Sequence, residues 1–210
     1  MKLRITPGAA LLLLALLSRG KESLPVLLAA ALHEAGHLLA ARYLGVRLQR
    51  MELDLLGARL YPALPLPSYG TEALLALGGP LFSLLGAALC RPQFSAAHPF
   101  VFTSLSLGVF NLLPIEGFDG GRILSALLSL FGGEAAARHT LLFTTYVSLT
   151  ALFSLSACLL LRYGEDAALA ILSASIFARL FLSLDRPAPA SHKKRGFASF
   201  RENMREKRRF

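Results

Sequence analysis

The sequence predicts an all-α polytopic membrane protein of about six transmembrane helices, with a short cytoplasmic β-like insert after the second. Three observations predict it. Hydrophobic residues make up 54% of the 210 and charged residues only 17%, more apolar than a soluble domain of this length. Apolar segments recur at about residues 5–18, 24–44, 71–90, 100–115, 138–162 and 166–184, and a span needs roughly 20 residues. Basic residues are unevenly spread, with ten of the 22 Lys and Arg after residue 178.

The first segment has a basic start and an apolar run over residues 9–17, as a signal peptide does. No small-residue cleavage site follows, so it reads as a retained first span. The second segment holds "HEAGH", residues 33–37. After it comes "VRLQRMELDLLGARLYP", residues 46–62. Met51 to Leu55 alternate apolar and polar, a strand pattern of period two, and Gly57 suggests a turn or bulge. Pro62, Pro65 and Pro67 then end regular structure. These residues read as an interfacial loop or as a small cytoplasmic sheet whose free edge can pair with an extended peptide. The fourth segment is short and leads into a Pro-interrupted stretch that re-enters the bilayer. Cys90 and Cys158 sit singly in apolar segments and read as packing residues.

Six spans put both termini on one side. With both termini cytoplasmic, 18 of the 22 Lys and Arg fall inside, leaving Arg19, Lys21, Arg91 and Arg162 outside. That asymmetry obeys the positive-inside rule and predicts a multi-pass integral protein of the cell membrane. Residues 1–184 form the membrane domain and 185–210 a basic cytoplasmic tail. The tail's charge suits the anionic inner leaflet, so the lipid bilayer is an expected partner and nucleic acid is not.

The chemistry concentrates in the second segment. An ionisable side chain at a membrane helix centre costs about 2.5–3.5 kcal/mol on insertion scales. Three of them in five positions imply a task. His33 and His37 are four residues apart, so a helix stacks them on one face, where two imidazoles can hold one metal ion. Glu34 lies beside them as a general base. This is the HExxH arrangement of zinc peptidases, and zinc both polarises a carbonyl and lowers the pKa of water. The alternative is a pair of core histidines bonded to Glu34. Around the motif Ala29, Ala30, Ala31, Ala35, Gly36, Ala40 and Ala41 allow close helix packing.

Two histidines leave the site short of a third protein ligand. His98, His139 and His192 are poorly placed for it. "NLLPIEGFDGGRIL", residues 111–124, offers Asp119 and its rival Glu116. Pro114 interrupts the helix ladder and the glycines permit unusual backbone, so this is a broken turn at membrane depth that must line a protein cavity. Asp119 opens a new helix to about Phe131, either as its N-cap, as a ligand, or as both.

The two motifs together resemble the site-2 protease family of intramembrane zinc metalloproteases. The resemblance rests on His33-Glu34-Ala35-Gly36-His37, on Asn111-Leu112-Leu113-Pro114 with Asp119-Gly120-Gly121, and more weakly on Gly79-Pro80. In order and spacing it is closest to the stage IV sporulation branch, which processes a sigma-factor precursor. It implies one Zn2+ per chain held by His33, His37 and Asp119, with Glu34 catalytic. It implies substrate-binding or water-orienting roles for Asn111 and Pro114. It also implies regulated intramembrane proteolysis of a membrane-associated protein substrate, with membrane inhibitor or regulator proteins as further partners. Many relatives carry an asparagine where this chain has Ser83. Neither the nucleotide-sensing domain nor the PDZ-like insert of some relatives is visible, so regulation by those routes is not expected. The competing reading is a non-hydrolytic membrane protein that binds or transports metal.

Overall fold

A computed structural model describes residues 2–18, 20–54, 57–90 and 98–163. The sixth apolar segment and the basic tail lie outside the described residues. Two compact units divide the chain, Met1–Ala151 and Leu152–Phe210, and the packing that follows is within the first.

The chain begins with strand β1 (Lys2–Ile5) and helix α1 (Pro7–Ser18). A 3-10 turn, Gly20–Ser23, leads into α2 (Leu24–Tyr43), with proline in its first turn, where a missing N–H does no harm. Strands β2 (Leu48–Asp54) and β3 (Gly57–Pro62) follow, then α3 (Tyr69–Cys90), α4 (Pro99–Asn111) and α5 (Asp119–Tyr163). Helix α5 is broken at Gly133, where φ is 81° and ψ is 165°, a backbone that L side chains resist.

Three helices are long and apolar enough to cross a membrane among the described residues: Leu24–Tyr43, Tyr69–Cys90 and Asp119–Leu159. The 20 residues of α2 give about 30 Å at 1.5 Å per residue, the thickness of the hydrocarbon core. Helices α1 and α4 have 12 and 13 residues, or about 18–20 Å.

Two expectations need correction. Residues 5–18 are not one continuous helix, because the chain starts as a strand and α1 begins only at Pro7, with 12 residues. Nor is the architecture all-α with a local insert. The structure is mostly helical with a three-stranded sheet, ordered β1-β2-β3. Strand β1 pairs parallel with β2, Lys2 opposite Arg50 and Ile5 opposite Leu53, and Thr6 N continues the ladder to Leu53 O at 2.9 Å. Parallel strands need a crossover, and the α1–α2 pair supplies it. Strand β3 pairs antiparallel with β2, with an irregularity between Leu48 and Arg50 rather than at Gly57. The Arg50 guanidinium lies 4.1 Å over the Tyr61 ring, a cation–π contact on the sheet.

The helical core is built from small residues and inverts the soluble pattern. Ala29, Ala41, Ala76, Ala87 and Val101 are buried, together with His33, His37, Ser83, Ser104, Asp119 and Thr145. The large side chains Leu14, Leu28, Leu74, Leu89 and Phe102 are exposed instead. Polar groups inside and leucines outside fit a lipid solvent. Helix α2 packs against α3 and α4, and α3 against α4.

Contact between α2 and α3 is closest at Gly36 and Gly78. A β-carbon on Gly78 would stand 2.6 Å from Gly36 O, and one on Gly36 would overlap Gly78 O and come within 2.8 Å of Phe82 Cβ. Only glycine permits this backbone approach. The central glycine of HEAGH is therefore a packing requirement. Gly36→Ala is expected to lower stability by about 1–3 kcal/mol, as overpacking does. Thermal denaturation in detergent checks it, and an unchanged midpoint would show that the two backbones are not in contact.

Candidate metal centre

Helix α2 carries His33 and His37 one turn apart, both buried. Their rings meet edge to face, with centroids 5.1 Å apart. Helix α3 supplies the wall behind them through Leu75, Gly79 and Ser83, which recur every four residues and so form one stripe. His33 Nδ1 is 2.9 Å from Ser83 Oγ, and His37 Nδ1 is 2.9 Å from Leu75 O. A carbonyl only accepts, so His37 carries its proton on Nδ1 and donates it there. Gly79 N also lies 3.3 Å from His37 Nδ1. That contact is no hydrogen bond when Nδ1 is protonated, and Gly79 N–H has Leu75 O as its helical acceptor four residues back. A β-carbon on Gly79 would overlap His37 Nε2 and stand 2.8 Å from His33 Nε2. Glycine is thus what lets the rings lie against α3.

Asp119 comes from the other side. The turn before it is held by hydrogen bonds rather than by a helix ladder. Ile115 N donates to Leu113 O at 2.8 Å and Phe118 N to Ile115 O at 3.1 Å. Two threonines of α5 complete it: Glu116 N donates to Thr145 Oγ1 at 2.9 Å, and Thr144 Oγ1 donates to Pro114 O at 3.1 Å. Arg122 N donates to Phe118 O at 3.1 Å, so Phe118 holds the cap position and Asp119 the first helical one. The N-cap reading of Asp119 is thereby corrected. Its Oδ2 lies 3.4 Å from His33 Nε2 and 3.1 Å from His37 Nε2. Its Oδ1 lies 3.6 Å from Arg122 Nη1.

Ligand atoms of His33, His37 and Asp119 all lie within 4.8 Å of one another, the one such cluster among the described residues. The set suits zinc. Tetrahedral ligands at about 2.0–2.2 Å from the ion stand roughly 3.4 Å apart, close to the two distances from the carboxylate. With Nδ1 of both rings protonated, two nitrogen lone pairs and a carboxylate oxygen converge on one buried point. Such a point needs a cation. Three protein ligands leave a fourth position open, as catalytic zinc sites do.

The other predicted residues are placed as follows. Glu34 follows His33 on α2, half-buried, outside the ligand cluster. Glu116 is exposed and also outside it. Asn111 ends α4 and donates its amide to Leu107 O at 3.0 Å. Pro114 lies in the turn held by Thr144. Neither Asn111 nor Pro114 joins the cluster. Sequence reasoning missed Leu75, Arg122, Thr144 and Thr145, and saw Ser83 only as a departure from relatives. The four-residue repeat Leu75, Gly79, Ser83 was the available signal.

Comparisons with known proteins find zinc metalloproteases among the similar chains. Residues 93–155 match the family model "Peptidase family M50". The chain is 35% identical over 109 residues to a zinc metalloprotease of Methanocaldococcus jannaschii, covering 47% of this chain and 31% of the relative. It is 40% identical over 65 residues to a protein of Fusobacterium nucleatum named as a candidate zinc metalloprotease, covering 30% of this chain and 19% of that one. The aligned part therefore spans about a third or less of these curated relatives. Among solved structures, the site-2 protease from Methanocaldococcus jannaschii superposes with a TM-score of 0.56 at 22% identity, covering 83% of this chain and 87% of that one. The matched segment is thus similar to M50 peptidases, and the fold is similar to that of a site-2 protease. The M50 match takes in Asn111, Pro114 and Asp119, and the fold likeness extends to most of the chain.

Asp119→Asn keeps the size of the side chain and removes its charge. Zinc per purified molecule is expected to fall from about one to well below one, since a carboxylate ligand is replaced by a weakly coordinating amide. Elemental analysis of the purified variant checks this. Full zinc retention would remove Asp119 from the ligand set and return Glu116 to it.

Proposed function

We propose that the chain is a zinc-dependent intramembrane endopeptidase that hydrolyses a peptide bond within or near a membrane segment of a substrate protein. The observation that carries the reading is the three-ligand cluster of His33, His37 and Asp119, buried among helices whose leucines face outward. The M50 match and the zinc metalloprotease names of the relatives support it. Zinc, one per chain, would supply a polarised substrate carbonyl and acidified water. Glu34 accepts the water's proton at its carboxylate and passes it to the leaving amine nitrogen. Asn111 and Pro114, on the segment that ends in Asp119, contact substrate or water in this reading.

A substrate helix must be unwound before its peptide bond is accessible. The outer strands β1 and β3 can offer hydrogen bonds to the extended segment. The order and spacing of the motifs favour the sigma-factor-processing branch, and hence a membrane-associated sigma-factor precursor as substrate. Membrane inhibitor or regulator proteins are the expected further partners, and nucleic acid is not. Non-hydrolytic metal binding or transport fits less well, because a storage site favours four protein ligands and gives Glu34 no task.

We also propose six spans, with residues 1–184 in the membrane and both termini cytoplasmic. Strand β1 shares a sheet with the segment that follows α2, which supports a common side for the N-terminus and residues 46–62. His33 and His37 then lie in the inner half of α2, and cleavage releases a cytoplasmic product. In a background lacking Cys90 and Cys158, external reagent is expected to label Arg91→Cys and Gly164→Cys but not Ser191→Cys. External labelling at position 191 would reverse the topology.

Glu34→Gln tests the mechanism. Glutamine matches the size of glutamate but cannot accept the proton. Cleavage of a co-expressed membrane-spanning substrate is expected to fall by about 10²–10⁴-fold, with insertion and zinc content retained. Wild-type cleavage by this variant, on a substrate that the wild type cuts, would exclude Glu34 as the base.

A further inference from the structure

We propose that Ser83 is a positioning residue for the metal centre: its hydroxyl oxygen accepts the Nδ1 proton of His33 and so presents the Nε2 lone pair to the ion. The proposal rests on the zinc reading above and extends it to a residue outside the ligand set.

A neutral imidazole carries one proton and has two tautomers. His33 can ligate through Nε2 only when the proton is on Nδ1. On Nε2 the proton would point towards Asp119 Oδ2, 3.4 Å away, and close the site to metal. His37 has its tautomer imposed by the Leu75 carbonyl, 2.9 Å from Nδ1. His33 has no carbonyl there. Its Nδ1 faces Ser83 Oγ at 2.9 Å, and a hydroxyl can donate as well as accept. The ligating form of His33 therefore depends on how one hydroxyl is turned.

Position and burial support the assignment. Ser83 has no exposed surface, so water cannot take its place as the partner of Nδ1. It sits one turn beyond Gly79 on the stripe of α3 that faces both rings, and Gly79 lets the rings approach that helix. Outer partners of this kind orient a ligating ring and raise its basicity.

The test measures zinc affinity of the purified full chain in detergent, by competition with a chelator. Ser83→Ala is expected to weaken zinc binding roughly 10–100-fold, and Ser83→Thr, which restores the hydroxyl, to recover it. Ser104→Ala is the control. It deletes an equally buried hydroxyl, on α4, that has no hydrogen-bond partner among the described residues, and zinc affinity is expected to stay at the wild-type value. Metal-free Ser83→Ala loses the buried hydrogen bond to His33 and is expected to unfold somewhat below the wild-type temperature while staying folded at the assay temperature, so the affinity is read on folded protein. Wild-type affinity in Ser83→Ala, or an equal loss in Ser104→Ala, would overturn the proposal while leaving the zinc site standing. A wild-type chain that binds no zinc would overturn both.

Discussion

The backbone contact between α2 and α3 is the constraint from which the site follows. Gly36 and Gly78 bring the two helices to a separation that no side chain allows. At that separation the imidazoles of His33 and His37 have nowhere to go but across the face of α3, over Gly79. The rings are then held from behind by Ser83 and Leu75, and their Nε2 atoms can point only outward to Asp119. In a bilayer this contact cannot rest on the hydrophobic effect, because lipid tails are as apolar as the helices they surround. Close van der Waals packing replaces it, so small residues gather around the motif.

The third ligand answers a different problem. Asp119 must reach the histidines from a segment that is not helical, and non-helical backbone in a membrane leaves polar groups without water. The turn resolves this with its own short bonds and with two hydroxyls from α5. Thr145 is fully buried, and its Oγ1 serves both Glu116 N and Leu141 O. A hydroxyl at that position therefore closes two polar groups at once. The arrangement makes part of α5 beyond the Gly133 break a support for the metal centre, although it contributes no ligand.

These relationships explain which features the sequence made visible. His33, Glu34 and His37 stand out because their spacing encodes a helical face and their chemistry conflicts with an apolar setting. The segment around Asp119 stands out because proline and three glycines punctuate it. Both signals are local. Strand β1 carried none, since four residues before an apolar run look like the edge of a span. Its strand character comes from pairing with Arg50 to Leu53, some 48 positions along the chain. Ser83 was hidden for a related reason. A lone serine in an apolar helix acquires meaning only once His33 Nδ1 is seen against it. Glu116 and Asp119 were separated by fold, since three residues of turn send one carboxylate outward and the other inward.

Charge balance gives a physical reason for the composition of the site. A zinc dication in a low-dielectric interior is costly unless nearby charge neutralises it. Two imidazoles, each ligating as a neutral group, contribute nothing to that balance. A third histidine would contribute nothing either, and the dication would face Glu34 alone. Asp119 as third ligand supplies one negative charge, and Glu34 beside the site supplies the second. Together the two carboxylates match the dication, so the loaded site carries no net charge among the helices. Arg122 then sits 3.6 Å from the far oxygen of Asp119, on a side chain only partly buried, where solvent screens its charge. It can steady the carboxylate without disturbing that balance. A membrane metal centre with a general base thus favours an anionic third ligand over a third histidine.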